Sequence, residues 1–230
     1  MKSFNQYILE KLKLSKTSNK KIELVDLDLP SGNLWAAYNL GVDFNKYEKD
    51  LVPNWFGNYY AWGETETKDS YTWKTYVHCK GSENDLIKYC SERCKSSWNG
   101  EGEPDNKLEM DNEDNVVIEE LGYGYDIPND ADALELEKVP HEWVENYHDF
   151  EGLNGMLFTA KNGNELFFPS AGIMFEEDNI DLEKAGIWLK QCDEYSSDSG
   201  DILYMHNDDE AVVSTLWKLN GVPVRPIKRK

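Results

Sequence analysis

The sequence predicts an α+β fold of short, mostly antiparallel strands with two short helices, and three observations carry that prediction. From Ile22 the apolar residues alternate with polar ones, so that Val25, Leu27 and Leu29 share a side, which is the period of a half-buried strand. Asn162-Gly163 stands between the apolar runs Met156 to Ala160 and Glu165 to Phe168, and Asn-Gly accepts the positive φ that a tight hairpin demands. Finally, Asp111 and Asn129 each precede a segment whose apolar residues recur at helical spacing.

Taken in order, Phe4, Tyr7, Ile8 and Leu12 recur at helical spacing, with Lys2, Gln6, Lys11 and Lys13 on other faces, which predicts an N-terminal amphipathic helix. A helix so short needs something to pack on, so these four residues are the expected docking face. Residues 1–21 are therefore read as this helix and a polar linker, and residues 22–230 as one domain. Leu29 to Asn33 is a turn: Pro30 presets φ and Gly32 accepts a positive one. Leu34 to Leu40 is the next strand. Trp55 and Phe56 lie in an insert, Asp43 to Asn58, and need cover to avoid an exposed apolar patch. Trp62 and Trp73 are read as packing residues. Val116, Val117 and Leu121 form the face of the first helix, with Asp111 ahead of it and Gly122 as its left-handed end. The second opens at Asn129, with Asp132 completing an imperfect capping box around Ala133, Leu134 and Leu136. Further strands are expected at Gly186 to Lys190, Ile202 to His206, Val212 to Trp217 and Val222 to Ile227.

Four stretches in order also resemble a known family. They are Val25 to Ala36 (VDLDLPSGNLWA), Tyr59 to Thr65 (YYAWGET), Phe167 to Gly172 (FFPSAG) and Gly221 to Ile227 (GVPVRPI). Together they resemble the Fibrobacter succinogenes major paralogous domain family over roughly residues 22 to 227. The resemblance implies a C-type-lectin-like fold whose first and last strands pair, bringing Ile22 to Leu27 beside Val222 to Ile227. Where that family usually has Trp-Arg-Met-Pro-Thr, this chain has Tyr125-Asp126-Ile127-Pro128-Asn129, which reverses the charge at the second position. The first ten residues, MKSFNQYILE, are similar to the capsid-targeting peptides of internal head proteins of large tailed phages, and Ile8-Leu9-Glu10 fits the cleavage pattern of their prohead proteases.

Composition narrows the function classes. A formal charge of −20 repels phosphate backbones, so nucleic acid is not an expected partner. No stretch approaches membrane-spanning length and Met1 to Lys20 lacks an apolar signal core, so membrane insertion and signal-peptide export are not expected; the expected setting is a virion or a host cytoplasm. Cys79, Cys90, Cys94 and Cys192 are then read as free thiols. His78 near Cys90-x3-Cys94 lacks a second pair with ligand spacing, so no zinc is expected. Glu103-Pro104-Asp105 resembles the sugar-binding loop of calcium-dependent lectins, but it precedes the first helix and lacks the usual partner strand, and Asp198 to Asp201 lacks calcium-loop spacing. No phosphate loop, H-E-x-x-H or G-x-S-x-G occurs, so neither an enzyme nor a cofactor is expected.

What remains is binding. Lectin-like domains bind through C-terminal loops, and here Tyr195, Ser197, Asp198, His206, Asn207 and Asp208 are the expected ligand-binding residues, since Tyr, Ser and Asn combine contact area with hydrogen bonding. The expectation is a non-enzymatic lectin-like module of a tailed-phage particle that recognises a virion or host-surface protein or glycan, alone or as an oligomer. The rival is a cytoplasmic bacterial interaction module of the same fold with no virion role.

Overall fold

The computed structural model describes residues 22–43 and 55–230. The proposed docking face Phe4, Tyr7, Ile8 and Leu12 lies outside the described residues. Within them the fold is mixed α+β, with short strands in antiparallel pairs and few helices.

The first strand, β1 (Leu24–Val25), turns through Pro30 and Gly32 into β2 (Leu34–Ala36), with Gly32 at φ 70° as a positive-φ turn residue. Leu27 and Leu29 are buried while Asp26 and Asp28 face solvent, as the alternation requires. After β3 (Tyr59–Tyr60) comes a long irregular stretch that includes a 3-10 turn, Glu92–Ser97. The first helix, α1 (Val116–Leu121), is capped by Asn115, whose side chain accepts from the amides of Val117 and Ile118; Asp111 only precedes a 3-10 turn, Asn112–Asp114, without a side-chain capping hydrogen bond. That corrects the expected start. Asn115 prevails because its carboxamide is buried, with its Nδ2 donating to Asp126 at 2.7 Å. Gly122 ends the helix at φ 82°, ψ 173°, a positive-φ conformation open to glycine but not the left-handed helical one expected. Then follow β4 (Tyr125–Asp126) and α2 (Asp130–Leu136), whose full capping box joins Asn129 and Asp132.

The strands β5 (His141–Val144), β6 (Gly155–Thr159) and β7 (Glu165–Pro169) form a meander whose second hairpin turns at Asn162-Gly163. A small hairpin, β8 (Ile173–Phe175) with β9 (Asp178–Ile180), leads into a second meander of β10 (Lys184–Cys192), β11 (Ser199–His206) and β12 (Ala211–Trp217). The end of the chain is broken in two, β13 (Val222–Pro223) and β14 (Ile227–Lys228).

Strand β10 lies between two apolar clusters. Ala185, Ile187 and Leu189 face one, with Trp35, Phe158, Phe168 and Leu203, while Trp188 and Cys192 face the other, with Trp62, Tyr89, Val117 and Ile202. A strand buried on both faces reads as a continuous apolar run, which is why Gly186 to Leu189 is entirely inside.

The termini of the described chain share a sheet but are not neighbours in it. Its order is β1-β2-β14-β4, so the last strand pairs with β2 (Ile227 opposite Trp35) and not with residues 22–27. The Leu29 to Asn33 turn already commits one edge of β2 to β1, leaving the other edge for the C-terminal segment; Ala36 N donates to Pro226 O and Leu40 N to Val224 O, each at 2.8 Å. The single strand expected at Val222 to Ile227 is interrupted between Pro223 and Ile227, where Pro226 has no amide to donate to a ladder and Arg225 is fully buried.

Candidate functional site

Tyr195, Ser197 and Asp198 precede β11, whereas His206 ends it and Asn207 and Asp208 follow. Eight residues of strand span roughly 25 Å, so the expected binding residues do not form one site. In the first loop Ser197 is buried: its Oγ accepts from Ser91 N at 2.9 Å and its carbonyl from Lys218 Nζ at 2.7 Å. Asp198 accepts from Ser196 and Ser199 hydroxyls, so both residues hold the loop's shape. Tyr195 is exposed, with the Arg93 guanidinium 4.8 Å from its ring centre. In the second, Asn207 and Asp208 are exposed and His206 is half-buried beside Tyr204, while Asp209 accepts from Trp143 N and anchors the turn to β5.

Lys218 is the buried ion of this region. Its ammonium is 4.8 Å from the Trp62 ring centre and donates to Tyr89 O and Ser197 O, and burial lowers its pKa.

Among the described residues, one group of carboxylates is close enough to share an ion: Asp111, Glu113 and Asp114. Lys88 already supplies the cation, its Nζ lying 2.9 Å from Asp111, 2.9 Å from Glu113 and 2.6 Å from Asp114. The Glu103-Pro104-Asp105 loop is equally committed, for Asp105 accepts from the amides of Tyr89 and Cys90, and Glu103 pairs with Lys95.

A concave aromatic site emerges elsewhere, from residues that are far apart in the chain. A cavity of about 210 Å³ is lined by Tyr38, Trp55, Tyr147 and Phe167, with Glu23, Glu165 and His148 among its polar groups. Each wall comes from a different element: Tyr38 follows β2, Trp55 precedes β3, Phe167 is central in β7, and Tyr147 and His148 lie in the β5–β6 connection. Tyr147 stacks on Phe167 with ring centres 3.9 Å apart and planes 12° apart, and Trp55 meets Tyr38 and Phe150 edge-on at 5.7 and 5.5 Å. Trp55 is 3% exposed, so the cover its insert needed comes from this cluster.

The segment carrying Tyr147 and His148 is strained. Asn146, His148 and Asp149 have φ of 52°, 55° and 65°, a left-handed conformation that costs a non-glycine residue about 1–3 kcal/mol. The surroundings hold it: Tyr147 N donates to Leu153 O at 2.8 Å, Gly152 N to Asn146 Oδ1 at 2.8 Å, and Asn146 N to Asn154 Oδ1 at 3.1 Å. Asn, His and Asp are the non-glycine residues that enter this region most readily, so the turn shapes this wall of the cavity at modest cost. Sequence reasoning missed this site. Its one legible signal was Trp55 needing cover.

No helix among the described residues is long and apolar enough to cross a membrane. No family model, curated protein or solved structure matches the chain.

Proposed function

We propose that this chain is a non-enzymatic recognition module of a tailed-phage particle that takes a basic side chain of a partner protein into the Tyr38–Trp55–Tyr147–Phe167 cavity. The observation that carries the reading is the pairing of aromatic walls with the Glu23 and Glu165 carboxylates, held by a strained turn. The half-buried Tyr38 and Tyr147 rings attract a cation, the exposed Glu23 and Glu165 carboxylates accept its N–H groups, and a net charge of −20 steers basic partners toward the surface. A volume of about 210 Å³ suits one side chain better than an extended ligand, since pockets for drug-sized molecules run to about 300–1,000 Å³. The C-type-lectin-like resemblance of the four motifs supports a binding role, and the first ten residues support association with a phage head.

The test is binding of a fluorescent oligo-arginine peptide to the full chain and to two charge-matched double variants. Glu23→Gln with Glu165→Gln should weaken binding at least about fivefold, consistent with the loss of charge-assisted contacts. Glu83→Gln with Glu101→Gln, which removes the same charge from exposed loops, should change it less than twofold. Equal effects of the two pairs would show nonspecific attraction and overturn the reading. So would a neutral glycan that binds the cavity in place of the peptide.

A further inference from the structure

Strand β12 is an outer strand of the β10-β11-β12 sheet, and the alternation of an antiparallel ladder fixes which of its main-chain groups face away from β11. At the two ends of the ladder His206 N donates to Glu210 O and Lys218 N to Asp198 O, each at 2.8 Å. Val212, Ser214 and Leu216 therefore bond inward to β11, while Ala211, Val213, Thr215 and Trp217 turn their N–H and C=O groups outward. Two of these outward groups are taken: Val213 N donates to Glu137 Oε1 at 3.1 Å, and Trp217 O accepts from Asn220 N at 3.0 Å. The others have no hydrogen-bond partner among the described residues. The strand itself (Ala-Val-Val-Ser-Thr-Leu-Trp) has no charge and no proline to blunt this edge, and Thr215 and Trp217 are exposed on it.

The surroundings of the edge are acidic. Val213 pairs with Leu203, which packs in the cluster that holds Ala133 and Leu136 of α2, so Val213, Thr215 and Trp217 share the face covered by that helix. Asp201, the partner of Thr215, lies on the same face, and Glu137, at the end of α2, stands at Val213. Asp208 and Glu210 are exposed in the turn before Ala211. The cations nearest in the chain do not offset these charges: Lys138 lines a separate groove with Leu27 and Leu29, and Lys218 is buried.

We propose that the outer edge of β12 takes an extended basic segment of a partner protein as a fourth strand, with lysine or arginine at alternate positions. Its main chain pairs with the outward groups of Thr215 and its neighbours. A residue set opposite Val213, Thr215 or Trp217 points its side chain to the α2 face, where a basic one meets Glu137, Asp201 or the Trp217 ring in turn. Asp201 is two strand spacings from the added chain, about 10 Å, a distance that an extended arginine and the carboxyl span between them. The residues in between fall beside Ser214 and Leu216, where β-branched side chains fit a pleated surface. A second copy of the chain suits the edge less well, because it sets the same carboxylates and a charge of −20 against themselves. None of these residues lines the aromatic cavity, so the two sites stand or fall separately.

The experiment follows amide hydrogen exchange of the full chain by NMR, with acetyl-Val-Arg-Val-Arg-Val-Arg-amide as the probe at up to millimolar concentration. The Thr215 amide should exchange at least about tenfold more slowly with the peptide bound. Acetyl-Val-Val-Val-Arg-Arg-Arg-amide, equal in charge, and the alternating peptide N-methylated at its arginines, which cannot donate to a ladder, should each bind at least about fivefold more weakly. Glu137→Gln with Asp201→Asn, which keeps an acceptor for Val213 N, should weaken the alternating peptide at least about fivefold, against less than twofold for Glu83→Gln with Glu101→Gln. An unchanged Thr215 exchange rate, or equal affinity for all three peptides, would overturn the proposal. So would Thr215 protection that rises with protein concentration in the absence of peptide, which would give the edge to a second copy.

Discussion

Arg225 Nη2 donates at 2.9 Å to the main-chain carbonyl of Phe167, whose ring is a wall of the aromatic cavity. The same guanidinium donates through Nε to Asn39 Oδ1 at 2.8 Å and through Nη1 to the carbonyls of Ala36 and Ala37 at 3.1 and 2.9 Å, and lies 4.3 Å from the Phe168 ring centre. Burial lowers its pKa to about 9, so it remains cationic at neutral pH while fully buried. It therefore joins the segment after β2, β7 and the C-terminal segment. Arg225→Lys keeps the charge but not the planar fork, leaving carbonyls unpaired inside. The expected loss is about 2–4 kcal/mol in urea unfolding, from about 1–3 kcal/mol per unsatisfied buried group. A loss under 0.5 kcal/mol would show that the fork is not what joins these segments.

Asp201, on β11, faces Asp130, the first residue of α2. Burial first, then the Asp130 and Asp193 charges, raise its pKa to about 7, against a weaker opposing effect of Lys218. A carboxyl raised above its unfolded value near 3.8 binds more protons folded than unfolded between those two values. Its favourable contribution is present below about pH 4 and is lost as pH rises through 7. Asp201→Asn should therefore raise stability at pH 8 and change it little at pH 4, flattening the pH profile of thermal unfolding between them. Because Asp201 is partly exposed, the gain at pH 8 should be about 1 kcal/mol after allowing for solvent screening. An unchanged profile would refute the pairing.

Lys88 stands where a divalent cation would sit between Asp111, Glu113 and Asp114. Wild-type melting should be insensitive to calcium and to chelators. Lys88→Ala should melt lower, with part of the loss restored by millimolar calcium, because three carboxylates left together repel one another and carboxylate oxygens suit a hard cation. A calcium shift in the wild type would contradict this reading.

Residues 1–14 carry the proposed particle association. Deleting residues 2–14 should abolish incorporation into phage particles, measured by mass spectrometry of purified virions, while the remaining chain keeps its melting temperature. Unchanged incorporation would leave the interaction-module reading without a virion role.

The parts of the fold legible in the sequence are those set by near neighbours. The Pro30–Gly32 turn, the Asn162-Gly163 hairpin, the Asn129–Asp132 capping box and the Gly122 helix end each depend on residues within a few positions of one another. Pairing partners depend on distant competition: the resemblance implies a C-terminal strand beside residues 22–27, whereas it pairs with β2, whose free edge the sequence does not reveal. The aromatic cavity was illegible for a related reason. Its walls come from four separated segments, and Asn146, His148 and Asp149 adopt a left-handed backbone that these residue types enter more readily than other non-glycine residues but that no local sequence pattern announces. The expected binding loops were plausible by composition, but the eight-residue strand between them sets them apart.

The most direct test of a cation-recognising cavity is an NMR titration of the full chain with a short blocked peptide containing one arginine. The account predicts upfield ring-current shifts of the arginine methylene protons, with protein perturbations centred on Trp55, Tyr147 and Phe167 and reduced in Glu23→Gln with Glu165→Gln. Perturbations centred on Tyr195 or His206 with these aromatic resonances unmoved, or no shift at millimolar peptide, would contradict it.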